Sequence, residues 1–323
     1  MSVRLGVMLP VEDGLSAPEY VSIARTAEEC GLDSVWVGEV DGPEAFSMLG
    51  LIAGATARIG LGTGIATVYP RTAPLAAMGY ATLASAAPGR VVAGLGVSSP
   101  RIVREWHGMA YERPLPTMEG YVAALRSAWA GERVRGFRAS MRAPQAPPVV
   151  IGAMNPGMLR LAGRVADGVF LAWCPPAEVP ERLAHVRDGE REAGREPGSV
   201  WAMTSFWAYA GDRPDAALTR LRRAVLQYAM VPTHAGAFRG VFDELERATA
   251  LWRDGDRRGA LALVPDEAVH HLCALGDGAT VARRAAAFGE QGVDLALILT
   301  PRAEPGDVDG PHHTIRRTAR ASR

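Results

Sequence analysis

The sequence predicts an α/β protein folded as a single (β/α)8 TIM barrel, and three observations carry that reading. Short apolar, β-rich runs occur eight times between residues 3 and 300. Helical patterns lie between most of them. The runs are also apolar on both faces, which marks strands of a parallel sheet covered all round, and eight such strands close into a barrel. The doubly wound alternative usually has a GxGxxG turn after its first strand, where this chain has LPVEDG.

In order, the candidate strands are VRLGVML (3–9), SVWVG (34–38), IGLGTGI (59–65), VVAGLGV (91–97), PVVIGA (148–153), GVFLAW (168–173), VWAMTSFWAY (200–209) and LALILT (295–300). The first helix is signalled by the capping-box spacing of Ser16 and Glu19, by Pro18 in its first turn and by Gly31 as its stop. Further helices are predicted over 43–56, 74–86, 117–129, 156–165, 180–193 and 214–228. Two connections, 100–147 after the fourth strand and about 211–290 after the seventh, are too long for bare loops and read as insertions that build lids over the strand ends. Residues 1–300 form one domain on this reading, and the polar, Pro/Gly-rich stretch 301–323 reads as a mobile tail.

With 323 residues, 48% of them hydrophobic, the chain can bury one large core. Its 35 basic residues balance 35 acidic ones, so no global field draws it to nucleic acid or to an anionic membrane. All of the basic residues are arginines. Without lysine, a phosphate-binding GK[ST] loop, a Schiff-base aldolase and a pyridoxal-phosphate enzyme are excluded, and any phosphate must be held by arginine, hydroxyls or backbone amides. Cys30, Cys174 and Cys273 show no CxxC spacing, so neither a zinc site nor a disulfide framework is indicated. The N-terminus has no secretory pattern and no apolar run reaches spanning length; a cytoplasmic location is the expectation.

Barrels of this class place their chemistry at the carboxyl ends of the strands. Those positions hold no ordered Ser/His/Asp set, no metal-ligand cluster and none of the seven histidines. They hold glycines, small hydroxyls, aromatics and a few acids, a lining that suits a flat, phosphate-bearing cofactor carrying its own reactivity. Two segments can take the phosphate. In one, Asn155 can cap a helix begun by Pro156, leaving the amides of Gly157 and Met158 for an anion; in the other, Ser98 and Ser99 precede a helix start at Pro100. The glycines of IGLGTGI mark either a close approach of a ligand to the backbone or simple barrel curvature.

IGLGTGIATVYPRTAPLAAMGYATLASAAPGRVVAGLGVSSP resembles the corresponding block of the luciferase-like monooxygenase superfamily, in its coenzyme F420-dependent, methylenetetrahydromethanopterin reductase-like branch. LPVEDGLSAPEYVSIARTAEECGLDSVWVGE, REWHGMAYERPLPTMEGYVAALR, MLRLAGRVADGVFLAW and VPDEAVHHLCALGDGATVARRAAAFGEQGVDLALI extend the resemblance over nearly the whole chain. It implies a bacterial-luciferase-like barrel with a deazaflavin or flavin across its mouth, and a non-prolyl cis peptide, here Gly64–Ile65, backing the ring. Carried over, Gly64 and Ile65 support the ring, Val97, Ser98 and Ser99 approach the side chain and phosphate, and Gly152, Ala153, Met154, Asn155, Gly157 and Met158 hold the phosphate. The chain departs from several relatives, which have Asp-His where Gly38-Glu39 stand. Sugar-phosphate dehydrogenase members have an acid where Ser98 and Ser99 stand. The oxidation mechanism that uses those groups is therefore not expected here.

The expected chemistry is hydride transfer between coenzyme F420 and a small-molecule substrate. Glu39 is the candidate proton-transfer residue, or alternatively the ion-pair partner of Arg71. Trp173, Cys174, Phe206, Trp207 and Tyr228 are candidates for the substrate wall, each equally placed to be core. An FMN-dependent monooxygenase using reduced flavin and oxygen, and a flavin-like ligand carrier without turnover, remain as alternative readings. Neither a membrane nor nucleic acid is an expected partner; a homodimer is.

Overall fold

A computed structural model of the chain describes residues 3–231 and 242–323. Its eight barrel strands are β1 (Arg4–Met8), β2 (Ser34–Val37), β3 (Gly60–Thr63) continued by β4 (Ala66–Thr67), β5 (Val91–Gly96), β6 (Val149–Ala153), β7 (Gly168–Leu171), β8 (Trp201–Tyr209) and β10 (Leu295–Leu299). Each pairs in parallel with its neighbours, and β10 pairs with both β8 and β1, closing the sheet. A two-residue strand, β9 (Ala274–Leu275), extends the end of β8.

The helices that cover the barrel begin where the sequence places them. In α1 (Ala17–Glu29), the Glu19 carboxylate accepts both the backbone N–H and the hydroxyl of Ser16 at 2.7 Å. Helices α2 (Ala45–Ala55) and α3 (Ala73–Ala86) are capped by the side chains of Glu44 and Thr72. They are followed by α4 (Pro114–Trp129), α5 (Pro156–Val165) and α6 (Val179–Glu192). The large core lies between strands and helices and includes Val35, Leu61, Leu95, Ile151, Ile298 and Tyr80. A smaller cluster fills the barrel interior, with Met8, Trp36, Val150, Phe170, Met203, Leu295 and Leu297 from successive strands.

Two expectations about the connections need correcting. The stretch 100–147 is only partly an insertion, because α4 packs between α3 and α5 as the barrel's own fourth helix. Only a π-helical turn (Ile102–Trp106) and its flanks stand over the strand ends. Likewise α11 (Gly278–Glu290) packs against β10 as a barrel helix, leaving α7 (Pro214–Ala229), α8 (Asp243–Arg253), α9 (Arg257–Leu263) and α10 (Asp266–Leu272) as the inserted group. These four helices bury an apolar cluster of their own against Trp207 and Leu299 at the mouth.

The expected mobile tail is ordered. Residues Gly310–Ala321 form α12, which packs on α1 and α11 and buries Thr314, Ile315, Thr318 and Ala319. Apart from Ile315 and Pro311, its buried stripe is made of small and hydroxyl side chains, so hydropathy gives little sign of it. Buried Asp307 fixes its start by accepting from the Tyr209 hydroxyl (2.8 Å), Ala303 N–H (3.0 Å) and Gly310 N–H (3.1 Å).

Candidate active site at the barrel mouth

The third barrel strand breaks after Thr63 and resumes at Ala66, and the peptide bond between Gly64 and Ile65 in that gap is cis. Gly64 N–H donates to the Val37 carbonyl at 2.7 Å, and the Ile65 carbonyl accepts from Glu39 N–H at 3.3 Å. Small residues crowd this bulge. A Cβ on Gly38 would stand 2.9 Å from the Gly64 carbonyl oxygen, and one on Gly64 would stand 2.6 Å from Met8 Cε. The Ile65 side chain packs over Gly96 and, at 3.2 Å from a Cβ built on it, Gly152. Ile65 thus caps the interior cluster while remaining half-exposed, and the bulge forms a floor of main chain at the mouth.

Glu39 forms the ion pair with Arg71 that one of its two expected roles requires. Its Oε1 accepts from Arg71 Nη2 at 3.3 Å and Ala45 N–H at 3.4 Å, and its Oε2 from Thr67 N–H at 3.2 Å. Arg71 in turn pairs with Glu44 and stacks over Phe46, 4.3 Å from the ring centre. Because Glu39 bonds both Ile65 and Thr67, it splints the bulge from behind, and both of its carboxylate oxygens accept hydrogen bonds.

The phosphate candidates are brought together at adjacent strand ends. Val97, Ser98 and Ser99 follow β5, Ser98 in a left-handed conformation (φ 57°), and the Ser99 hydroxyl accepts Ile102 N–H at 3.3 Å. Gly152, Ala153 and Met154 end β6 and lead to α5, whose N-cap Asn155 is exposed and makes no side-chain cap bond. The first-turn amides of Gly157 and Met158 therefore lack an intrahelical acceptor. Such an uncapped start beside a strand-end loop suits a phosphate.

Of the five substrate-wall candidates, three meet at the mouth and two do not. Trp173 adopts φ 47°, a strained conformation for a tryptophan, and its ring lies 3.9 Å from that of Tyr228 on α7. Arg182 fixes that turn by donating to the carbonyls of Ala172 (2.9 Å) and Trp173 (3.2 Å). Trp207 joins the same cluster, its indole N–H buried without a hydrogen-bond partner among the described residues. Phe206 instead points outward and stacks on Phe288 of α11 at 5.6 Å. Neighbouring residues on a strand face opposite sides, so Phe206 and Trp207 could not both line the mouth. Cys174 is also core, and burial pushes its thiol up to about 12.

Sequence reasoning passed over Glu12. Its side chain is 24% exposed and borders a cavity of about 410 Å³ shared with Val11, Tyr20, Asp41 and Met48. Burial raises its proton affinity above the usual carboxylate range, Arg220 opposes this, and Asp41 adds to it. Burial, aided by the charge of Glu12, also raises Tyr228. The strand-end position of Glu12 was visible in the sequence; its covering by α7 was not. The histidines are distributed as His185 on α6, His270 and His271 on α10, and His312 and His313 on α12, with His107 just after the π turn. His234 lies outside the described residues.

A barrel whose mouth combines a main-chain bulge, an uncapped helix start and an aromatic wall has the layout of a cofactor-using oxidoreductase. The chain belongs to the Luciferase-like monooxygenase family, whose profile matches residues 3–295. It is 25% identical, over 94% of its length and 96% of the relative's, to a protein of Mycobacterium tuberculosis assigned as a coenzyme F420-dependent oxidoreductase. A 5,10-methylenetetrahydromethanopterin reductase of Methanolobus tindarius is 32% identical over 55% of this chain and 57% of that protein. In fold, the chain is similar to the coenzyme F420-dependent tetrahydromethanopterin reductase of Methanopyrus kandleri (TM-score 0.83, 20% identity, 99% and 98% of the two chains covered).

Proposed function

We propose that this protein binds coenzyme F420 across the barrel mouth and transfers a hydride between it and a small organic substrate lying under α7–α10. The observation that carries the reading is the Gly64–Ile65 bulge, held from behind by Glu39 and floored by Ile65. The names of the relatives support the choice of coenzyme. When bound, F420 supplies a hydride acceptor or donor at the central carbon of its ring.

The chain's own residues divide the remaining work. Gly64 and Ile65 support the ring; Val97, Ser98 and Ser99 with Gly152, Ala153, Met154, Asn155, Gly157 and Met158 hold the side chain and phosphate. Trp173, Trp207 and Tyr228 wall the substrate and exclude water. Reduction of a carbonyl, an imine or an activated alkene also consumes a proton. We assign Glu12 to hold or move it at its carboxyl oxygen: its side chain borders the strand-end cavity, and burial raises its proton affinity. Glu39 is a positioning residue on this reading. Two copies of the chain pair through α2 and α3, whose residues include no charged side chain and whose outer face exposes Leu51, Leu75 and Met78.

The test is to incubate the protein with reduced F420 and a panel of enones, imines and ketones while following the absorbance of the oxidised coenzyme. Turnover with at least one member, lost in W173A, is the expected result. If no substrate oxidises the coenzyme, while reduced FMN with oxygen oxygenates one, the chain is a flavin monooxygenase instead.

A further inference from the structure

Arg220 of helix α7 reaches the first strand-end loop. Arg220 is 15% exposed, and its Nη2 donates to Asp13 Oδ1 at 3.1 Å and to Glu12 Oε2 at 3.4 Å. Its guanidinium carbon lies 5.0 Å from the centre of the Trp207 ring.

The two carboxylates are held differently. The Asp13 side chain is 4% exposed, and its other oxygen accepts the backbone N–H of Arg302 at 2.7 Å, so both oxygens are engaged. The Glu12 side chain is 24% exposed, borders the cavity, and has Arg220 as its only hydrogen-bonding partner among the described residues. Asp13 and the Trp207 face therefore fix the guanidinium, and the fixed guanidinium in turn stands beside Glu12.

We propose that Arg220 is a positioning residue that anchors Glu12, whose side chain borders the cavity between the first two strand-end loops, and governs when its carboxyl carries a proton. This rests on the reading of Glu12 as the proton-handling group. The surroundings give Arg220 that leverage. Burial, Asp13 on the same loop and Asp41 on the β2–α2 loop all favour the protonated acid. Tyr228 on α7, itself kept neutral by burial, adds no positive charge. Arg220 is the only cation among the described groups that acts on Glu12. Because it belongs to the inserted helices, the lid that walls the substrate also tunes the acid beneath it.

The test uses the full chain labelled with carboxyl-¹³C glutamate, its Glu12 signal identified by its loss in E12Q, titrated by NMR. Replacing an adjacent cation moves a carboxyl by about one pH unit or more. The Glu12 midpoint should therefore rise by about that much in R220Q and in R220M, and return most of the way in R220K. R220M keeps the apolar contact with Trp207 and stands in for R220Q if the latter does not fold. A midpoint unchanged in whichever neutral variant folds overturns the inference. Activity separates this from the underlying reading: the limb of the kcat/KM pH profile that vanishes in E12Q should move upward in R220Q. If the NMR midpoint moves but E12Q leaves the pH profile intact, Arg220 tunes Glu12 as argued and the proton-transfer role of Glu12 is what fails.

Discussion

Gly62 carries no side chain because the Trp36 indole occupies the space beside it, and a Cβ there would run into the ring at Cε3 and Cδ2. Trp36 is 1% exposed and fixed by its indole N–H donating to Ser34 Oγ at 2.9 Å, so it cannot yield. Gly62→Ala should therefore cost about 1–3 kcal/mol by overpacking, read from urea unfolding; an unchanged midpoint would show that the interior is looser than described. The glycines of IGLGTGI thus serve two ends: Gly62 makes room for a core ring, and Gly64 shapes the bulge. Sequence alone left those readings side by side because each predicts glycine. Glu39 and Glu12 separate by experiment in a similar way. Glu39→Ala removes the acceptor for Thr67 N–H and Arg71, and should weaken F420 binding several-fold while leaving the pH dependence of kcat intact. A pH profile altered in E39A with binding unchanged would restore Glu39 to the proton-transfer role. Glu39 was the more visible acid because it follows its strand without a gap. What singles out Glu12 is cover from a helix some two hundred residues along the chain, and no local pattern contains that.

At the scale of elements, the strands were readable because runs such as VVAGLGV are apolar on both faces, and the helices because their caps, such as Ser16 with Glu19, are local. Helix α12 was not, since its buried face is Thr314, Ile315, Thr318 and Ala319 and it packs on α1, the first helix in the chain, as well as on α11. The boundaries of both insertions were set too wide for a related reason: α4 and α11 complete the barrel only when their neighbours are known. The docking of α12 also carries a pH dependence. His312 Nδ1 lies 2.8 Å from the Thr26 hydroxyl of α1, and burial, with Arg316 adding to it, lowers its proton affinity below the ordinary value of 6.5. His271 is lowered too, by burial and then by Arg284. A lowered value in the folded state means that unfolding takes up protons. The associated stability is present above pH 6.5 and is lost as pH falls from there toward the folded-state value. Thermal unfolding between pH 7.5 and 5 should show a falling Tm, with a smaller drop in H312N. An equal drop in both proteins would remove His312 from the account.

Across the whole molecule, the balance of 35 basic and 35 acidic residues leaves no net field, and the proposed recognition surfaces are the mouth and the α2–α3 face. If that face pairs two copies, light scattering should give twice the 34.3 kDa chain mass, and Leu51→Glu should reduce it to one chain. A wild-type protein that scatters as a monomer at micromolar concentration would contradict the pairing. The mouth itself is open to a direct trial. The purified protein is titrated with oxidised coenzyme F420 and, separately, with FMN, following the fluorescence of each ring. Saturable micromolar or tighter binding of F420, with FMN bound far more weakly, is the result expected of a barrel that seats a deazaflavin on the Gly64–Ile65 bulge; no saturable F420 binding would contradict it.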